Sequence, residues 1–443
     1  APVRAASALA SAAVFGLAPL TWRYATQAEV FALNNALAVA LLACTVACLA
    51  ARPPLAPLAL GALVCGLGAA NQHTLVFLCV PCTAAVFLRA PGRILRKFPL
   101  LLAAFACGLS PYLVPCVASC RGPLHVHSWA ADMCSAPGFT THFLRREYGS
   151  FQLAPVVQVE KIIYHDDSGH ILHEATIAEF HGDGVVRNTT ISQAADSLGG
   201  SEVFSELASL LRGAGNALSK VLTAWIIPEQ RRRALAYLGA FSESILDMGP
   251  PPLGATIVLL ATLGALAELR SGCSSSQIFR VAMLALALQL LVFSVLANLP
   301  IHSPIHRESV VSRFWSQPQL LVVFLATRGL AVLAPAAAGS ASTAKSRLLR
   351  ASSSGALVAL LLLAASRQCL VQLRRVGAEA TGETLIAEYY RAVLGSMPRR
   401  AIVLASGDLA SMSLRYLQAA EGLRPDVAVL CWELLSPALV PSQ

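Results

Sequence analysis

The chain has 443 residues, of which 56% are apolar and only 13% charged, and its mean hydropathy is +0.63. Soluble globular domains carry about 25% charged residues, so the composition excludes that class and points to a membrane protein. A net charge of +9 would suit a nucleic-acid binder. The Lys and Arg form no dense stripe, however, and sit at the ends of apolar runs, where they act as a topology signal.

In chain order, apolar stretches predict nine membrane helices at about 5–20, 31–50, 56–70, 75–89, 98–118, 253–269, 281–299, 318–337 and 354–369. A spanning helix needs about 20 apolar residues. The third and fourth are short and read either as two spans or as one broken hairpin. One side of the membrane then receives Arg4, Arg52, the cluster Arg89/Arg93/Arg96/Lys97, Arg270 with Arg280, and Lys345/Arg347/Arg350. The positive-inside rule makes that side cytosolic. The opposite, luminal side receives residues 21–30, the Asn71–Thr74 turn, a long loop at 119–252, residues 300–317 and the tail after 370. The loop holds Asn188-Thr189-Thr190, an N-glycosylation sequon that agrees with the charge assignment.

The fold class expected is therefore an all-α polytopic membrane protein with a luminal insertion and a short α/β tail. Residues 1–118 hold the first five helices and 253–370 the last four. Within 119–252, short β-rich runs (156–164, 171–180, 185–191) are separated by Asp-Asp-Ser-Gly and His-Gly-Asp-Gly turns and predict a β-meander. Residues 201–248 read as amphipathic helices on the membrane surface, and 335–355 as an Ala/Ser-rich loop. The tail, 371–443, predicts helix 383–396, strand 401–405, helix 409–420 and strand 427–431, the start of an α/β unit. The chain opens on Ala1 directly ahead of an apolar run, which reads as an internal start. Most of the twelve Cys lie inside apolar runs as small core residues. Cys116, Cys120 and Cys134 flank a helix end, and an oxidising lumen would allow two of them to pair.

Four luminal stretches carry candidate chemistry. Glu29, with Asn34 and Asn35, lies in the densest polar segment between two apolar helices, where a carboxylate is costly unless it is paired or functional; a helix cap is the structural alternative. Asn71-Gln72-His73-Thr74 is a polar break in an apolar hairpin, either a ligand site or an interfacial turn. Thr141 to Gly149 brings Arg145 and Arg146 together with aromatics and Glu147. Arginine's fork of donors matches phosphate oxygens, although an Arg–Glu pair on a solvated face is the alternative. Arg313-Phe314-Trp315 closes a short luminal loop, with Trp315 as an interfacial anchor and Arg313 either snorkelling or holding a lipid phosphate. His165, His170, His173 and His181, with Asp166, Asp167 and Asp183, match no metal-ligand spacing, so no metal is assigned. The chain has no Walker A loop, dinucleotide fingerprint or HExxH motif.

These stretches, taken together and in order, resemble the eukaryotic transmembrane protein 260 family of protein O-mannosyltransferases. The residues that carry the resemblance are Leu20-Thr21-Trp22, Ala28 through Asn35, Gly68 with Asn71 to Thr74, and Thr141 to Arg145 with Glu147-Tyr148-Gly149. They continue through Arg313-Phe314-Trp315, Gly407-Asp408-Leu409, Ser413 to Leu417 and Glu421 to Val427. The chain departs from the family pattern at Arg146 and Ser312, where the family is acidic, and in the insertion at 156–192.

The resemblance implies a GT-C glycosyltransferase in the endoplasmic reticulum membrane. It implies transfer of mannose from dolichyl-phosphate mannose, the substrate, to Ser/Thr hydroxyls of luminal IPT-type receptor domains. No separate cofactor is expected, and the partners are membrane lipid, the dolichol-linked sugar and the luminal acceptors, without nucleic acid. The main catalytic carboxylate is expected in a first luminal loop ahead of Ala1, leaving Glu29 as an orienting residue or second base. Arg313 and Arg145 are expected at the donor phosphate, with His73, Asn71, Asn34 and Trp315 as further donor-site residues. A non-catalytic scaffold of the same fold and a multi-pass transporter or flippase are the competing readings.

Overall fold

A computed structural model describes residues 2–27, 30–49, 54–120, 133–143, 162–165, 171–175, 228–249, 253–270, 277–297, 301–304, 307–333, 344–405 and 408–431. The chain divides into two compact units, one of which runs to Cys369 and the other of which begins at Leu370.

The first unit is a helical bundle. It opens with α1 (Pro2–Gly16), a short α2 (Pro19–Ala25), α3 (Phe31–Cys48) and α4 (Leu55–Asn71). A 3-10 turn at His73–Leu75 leads into α5 (Val76–Arg89), so the two short apolar stretches form a hairpin of separate helices. α6 (Pro91–Gly108) follows, and then a 3-10 turn at Ser110–Tyr112 and α7 (Leu113–Cys120). The expected single span at 98–118 is therefore two helices bent by 41°. Pro111 explains the break, because it has no N–H to donate and its ring excludes the preceding turn. Next comes α8 (Ala136–Phe143). β1 (Ile162–His165) and β2 (Ile171–Ala175) pair antiparallel with an irregularity at Tyr164/His165. The third expected strand, like residues 201–227, lies outside the described residues.

α9 (Pro228–Leu246) follows. It was expected on the membrane surface. Instead, Tyr237, Ala240, Phe241 and Ile245 put one face of it in the bundle core. α10 (Leu253–Arg270), α11 (Gln277–Leu296, with a π turn at Gln289–Phe293) and α12 (Ser316–Leu333) complete the bundle. α10 and α12 cross at Gly264 and Gly329, where an added Cβ would collide with the facing backbone at Leu325 and Leu260. Gly66 and Gly108 let α4 and α6 approach in the same way. Small residues at crossings are the usual means of packing helices in lipid, where burial of apolar side chains gives no driving force. One turn past Gly264, the Glu268 carboxylate is fully buried and takes the Nε–H of Arg328.

Four helices are long and apolar enough to cross a membrane: Phe31–Cys48, Leu253–Arg270, Gln277–Leu296 and Ser312–Leu333. A fifth joins them if the bent pair is one span, and Ser7–Gly16, Leu55–Asn71 and His73–Arg89 are shorter. The described residues thus give a mostly helical membrane protein with fewer full-length spans than the nine expected.

α13 (Ala344–Ser396) is one helix of 53 residues. It absorbs part of the stretch expected as a loop, because Ala, Leu and Arg all favour helix and no Pro interrupts them. In the second unit its end is followed by β3 (Ile402–Ala405), α14 (Asp408–Glu421) and β4 (Ala428–Cys431). The two strands pair in parallel, Ile402 with Ala428 through Ala405 with Cys431, which makes a β-α-β unit. α14 ends at Gly422, whose φ of +66° suits glycine. The Leu423 N–H closes back onto the Leu417 carbonyl at 3.2 Å. Arg400 and Arg424 also hold positive φ. Arg424 offsets that strain by donating to the Leu394, Met397 and Pro398 carbonyls and to Asp426. The Arg424 guanidinium, helped by the Arg400 backbone N–H, holds the Asp426 carboxyl well below the usual carboxylate range.

Candidate functional site

Three of the predicted motifs meet at one end of the bundle. The Ser312–Trp315 3-10 turn at the head of α12 sits against α2 and α3. Tyr24 and Ser312 share a hydrogen bond between hydroxyls at 3.0 Å, and Ser312 Oγ donates to the Glu308 carbonyl at 2.6 Å. Tyr24 thereby ties the first polar segment to the turn that presents Arg313. The Arg313 Nε–H donates to the Val310 carbonyl at 3.1 Å. Its guanidinium carbon lies 5.9 Å from the Phe31 ring centre and 5.4 Å from that of Phe314, within cation–π range. The cation is half-buried and rests on an aromatic layer that continues from Phe314 to Phe293, and from Phe293 to Phe77 and Tyr237.

The two asparagine motifs are tied to the same end. The Asn71 Nδ2–H donates to the Val30 carbonyl at 3.0 Å, joining the end of α4 to the start of α3. Asn34 is only 1% exposed, and its Nδ2–H donates to Gln317 Oε1 at 2.9 Å. As described, it is a cross-helix tie, and no ligand reaches it directly. His73 shares a hydrogen bond with the Phe143 carbonyl, Nε2 to O, at 3.0 Å. α8 reaches that position because Cys120 and Cys134 are bonded to each other, which leaves Cys116 as the free thiol of the three. Phe139 and Phe143 then pack on Tyr112.

Trp315 corrects an expectation. It is 5% exposed, and its ring packs on Tyr237, 6.0 Å between centres. A side chain held between α9 and α12 is part of the packing and cannot serve as an interfacial anchor. Glu29, Arg145, Arg146 and Asn188 lie outside the described residues. Buried polar side chains are not confined to this end either, since Ser7, Ser11, Thr45 and Glu268 are buried toward the other. A cleft of about 530 Å3 in the second unit is lined by Met397, Arg399, Arg400, Arg424 and Asp426, and it contains none of the predicted donor residues.

A family model described as the protein O-mannosyl-transferase TMEM260 N-terminal domain matches residues 2–93. The mouse protein named Protein O-mannosyl-transferase TMEM260 is 29% identical over 437 residues, covering 97% of this chain and 50% of that protein. The Dictyostelium discoideum protein of the same name is 24% identical over 451 residues, covering 97% and 45%. By these matches the chain is similar to the TMEM260 family. It spans about half the length of the curated relatives it matches. No solved structure matches it. The TMEM260 N-terminal match runs from α1 through α5 and so takes in Asn34, Asn71 and His73, while Arg313 and Trp315 lie beyond it.

Sequence reasoning missed Tyr24 and Tyr237 as members of this candidate site, along with Gln289, Gln317 and Gln319. All three glutamines are nearly fully buried, and each leaves one amide atom without a partner. The signal was present as Ser316-Gln317-Pro318-Gln319 opening an apolar run, because amides at that depth are costly unless they bond to a neighbour.

Proposed function

We propose that the chain is the membrane part of a GT-C protein O-mannosyltransferase of the endoplasmic reticulum. It takes mannose from dolichyl-phosphate mannose and passes it to Ser/Thr hydroxyls of luminal, IPT-type receptor domains. The observation that carries the reading is Arg313, a half-buried cation on an aromatic layer at the end of the bundle where the family's motifs converge. Relatives named as protein O-mannosyl-transferases support the reaction class.

Transfer breaks the bond between the anomeric carbon and the phosphate, so negative charge grows on the departing dolichyl phosphate. A fixed cation there stabilises the transition state more than the ground state. Arg313 takes that role because its Nε–H is committed to the Val310 carbonyl, which orients the guanidinium at this end of the bundle. Arg145 is assigned as a second cation at the same phosphate. His73 is fixed by its bond to the Phe143 carbonyl and completes the polar rim with Asn71. Inversion in one step needs no covalent intermediate.

The test supplies radiolabelled dolichyl-phosphate mannose and an isolated IPT domain to microsomes containing the full-length protein. Label on the domain, lost in Arg313→Ala with protein level unchanged, is the expected outcome. No transfer from mannose or glucose carriers, with the protein intact, would favour the scaffold reading.

A further inference from the structure

The α5–α6 hairpin turns at the end of the bundle opposite the candidate site. α5 separates that turn from His73 by 14 residues, about 21 Å of helix. Arg89 ends α5, and Arg93, Arg96 and Lys97 follow in the first two turns of α6. The spacing i, i+3, i+4 puts the last three on one side of the helix. Arg89, Arg96 and Lys97 are exposed, and Arg93 is half-buried.

Among the described residues no acid answers this charge. No Asp or Glu occurs anywhere from Val30 to Ala131. Among the described residues none of the four cations makes an ion pair. Their one recorded bond is from the Arg96 Nε–H to the Gly92 carbonyl at 3.0 Å. The elements packed against α5 and α6 add no acid. α4 and α3 carry none, and the start of α11 brings a further cation, Arg280, which donates to the Glu268 backbone. The Glu268 carboxylate is buried and held by Arg328. Large apolar side chains surround the cluster and face outward: Leu88, Leu95 and Phe98, with Leu100 and Leu102 continuing along α6. Cations in a ring where an apolar outer surface begins stand at the depth of lipid headgroups, with their stems in the acyl region.

We propose that the α5–α6 turn is a binding site for anionic phospholipid, holding headgroup phosphate and carboxylate between Arg93, Arg96 and Lys97. The occupant is a lipid of the bilayer, because the apolar flank contributes acyl contact that a free anion would not use. Such a lipid would anchor α6, whose close crossing with α4 is made at Gly66 and Gly108, near its far end.

The test reconstitutes the full chain in phosphatidylcholine bilayers containing spin-labelled phosphatidylserine and reads the motionally restricted fraction of label. Wild type is expected to enrich the anionic lipid over spin-labelled phosphatidylcholine several-fold. R93Q/R96Q/K97Q is expected to lose that enrichment by roughly fivefold or more, given the attraction of each basic side chain to an anionic surface. R231Q/R232Q/R233Q on α9 removes the same charge elsewhere and is expected to keep it. R93K/R96K preserves charge and is expected to keep it as well. Equal enrichment in the glutamine variant, equal loss in the α9 control, or loss in the lysine variant would each overturn the site. Displacement by inorganic phosphate would overturn the lipid as its occupant.

Discussion

The Asn34–Gln317 hydrogen bond ties α3 to α12 at the candidate site, and its strength can be worked out from its surroundings. The two side chains are 1% and 2% exposed, so water cannot replace a lost partner. Asn34→Ala removes the bond, worth about 0.5–1.5 kcal/mol net, and leaves the whole Gln317 amide unpaired, at about 1–3 kcal/mol. Gln317→Leu costs a similar amount from the other side. The double variant strands neither group, so the singles should not add. Coupling energies across membrane helices average about 0.6 and reach about 1.7 kcal/mol, and this buried amide pair belongs in that range. Denaturant titration of the four proteins in detergent micelles, followed by far-UV circular dichroism, gives the cycle directly. Additive losses, within about 0.3 kcal/mol, would refute the reasoning. The bond's position also predicts that Asn34→Ala lowers transferase activity by reducing the folded fraction, with donor KM unchanged per folded molecule.

Tyr24→Phe removes one hydroxyl from the Tyr24–Ser312 pair and lets the Arg313 turn drift; donor KM is expected to rise several-fold while the unfolding midpoint moves little, and an unchanged KM would show that the turn holds itself. Cys134→Ser opens a cross-link spanning 14 residues and should cost about 3 kcal/mol, read as faster proteolysis around α8 and matched in wild type by adding reductant. In the second unit, the lowered Asp426 pKa means that its stabilisation is fully present above the ordinary value of 3.8 and is lost as pH falls below it. Acid unfolding of Asp426→Asn, followed by circular dichroism, should therefore lack the part of the transition below that pH. Arg313→Lys keeps the charge but not the planar fork, and is expected to retain a small fraction of Arg313 activity while Arg313→Ala retains none.

Hydropathy made most helices legible, because an apolar run between basic ends leaves few alternatives. The tail was equally readable: alternation at 401–405 and 427–431 around a helical period gave the β-α-β unit to within a residue or two. Breaks inside apolar runs were harder to see. Pro111 stands in plain view, yet the residues on either side are apolar enough to read as one span. α13 shows the reverse error, since a Ser/Ala composition alone does not separate a loop from a helix that α-forming neighbours extend. At the site, Arg313 and His73 were legible as polar residues beside apolar runs. Their supports were not, because Tyr24, Gln317 and Tyr237 act through partners more than 70 residues away, and no local pattern announces those pairings.

The π turn at Gln289–Phe293 accommodates one residue more than a regular helical turn would hold. Because that turn already holds its extra residue, inserting one more ahead of Phe293 would rotate everything beyond it by about 100°. Phe293 would leave the ring layer beneath Arg313, and the 301–311 segment would start from a different face of the bundle. The aim of the cation therefore depends on the residue count of the helix that precedes its loop. A one-codon length change in α11 could redirect this end of the protein while leaving every catalytic candidate in place. Among relatives, the length of that helix would be a better guide to whether the site is assembled than the presence of the arginine.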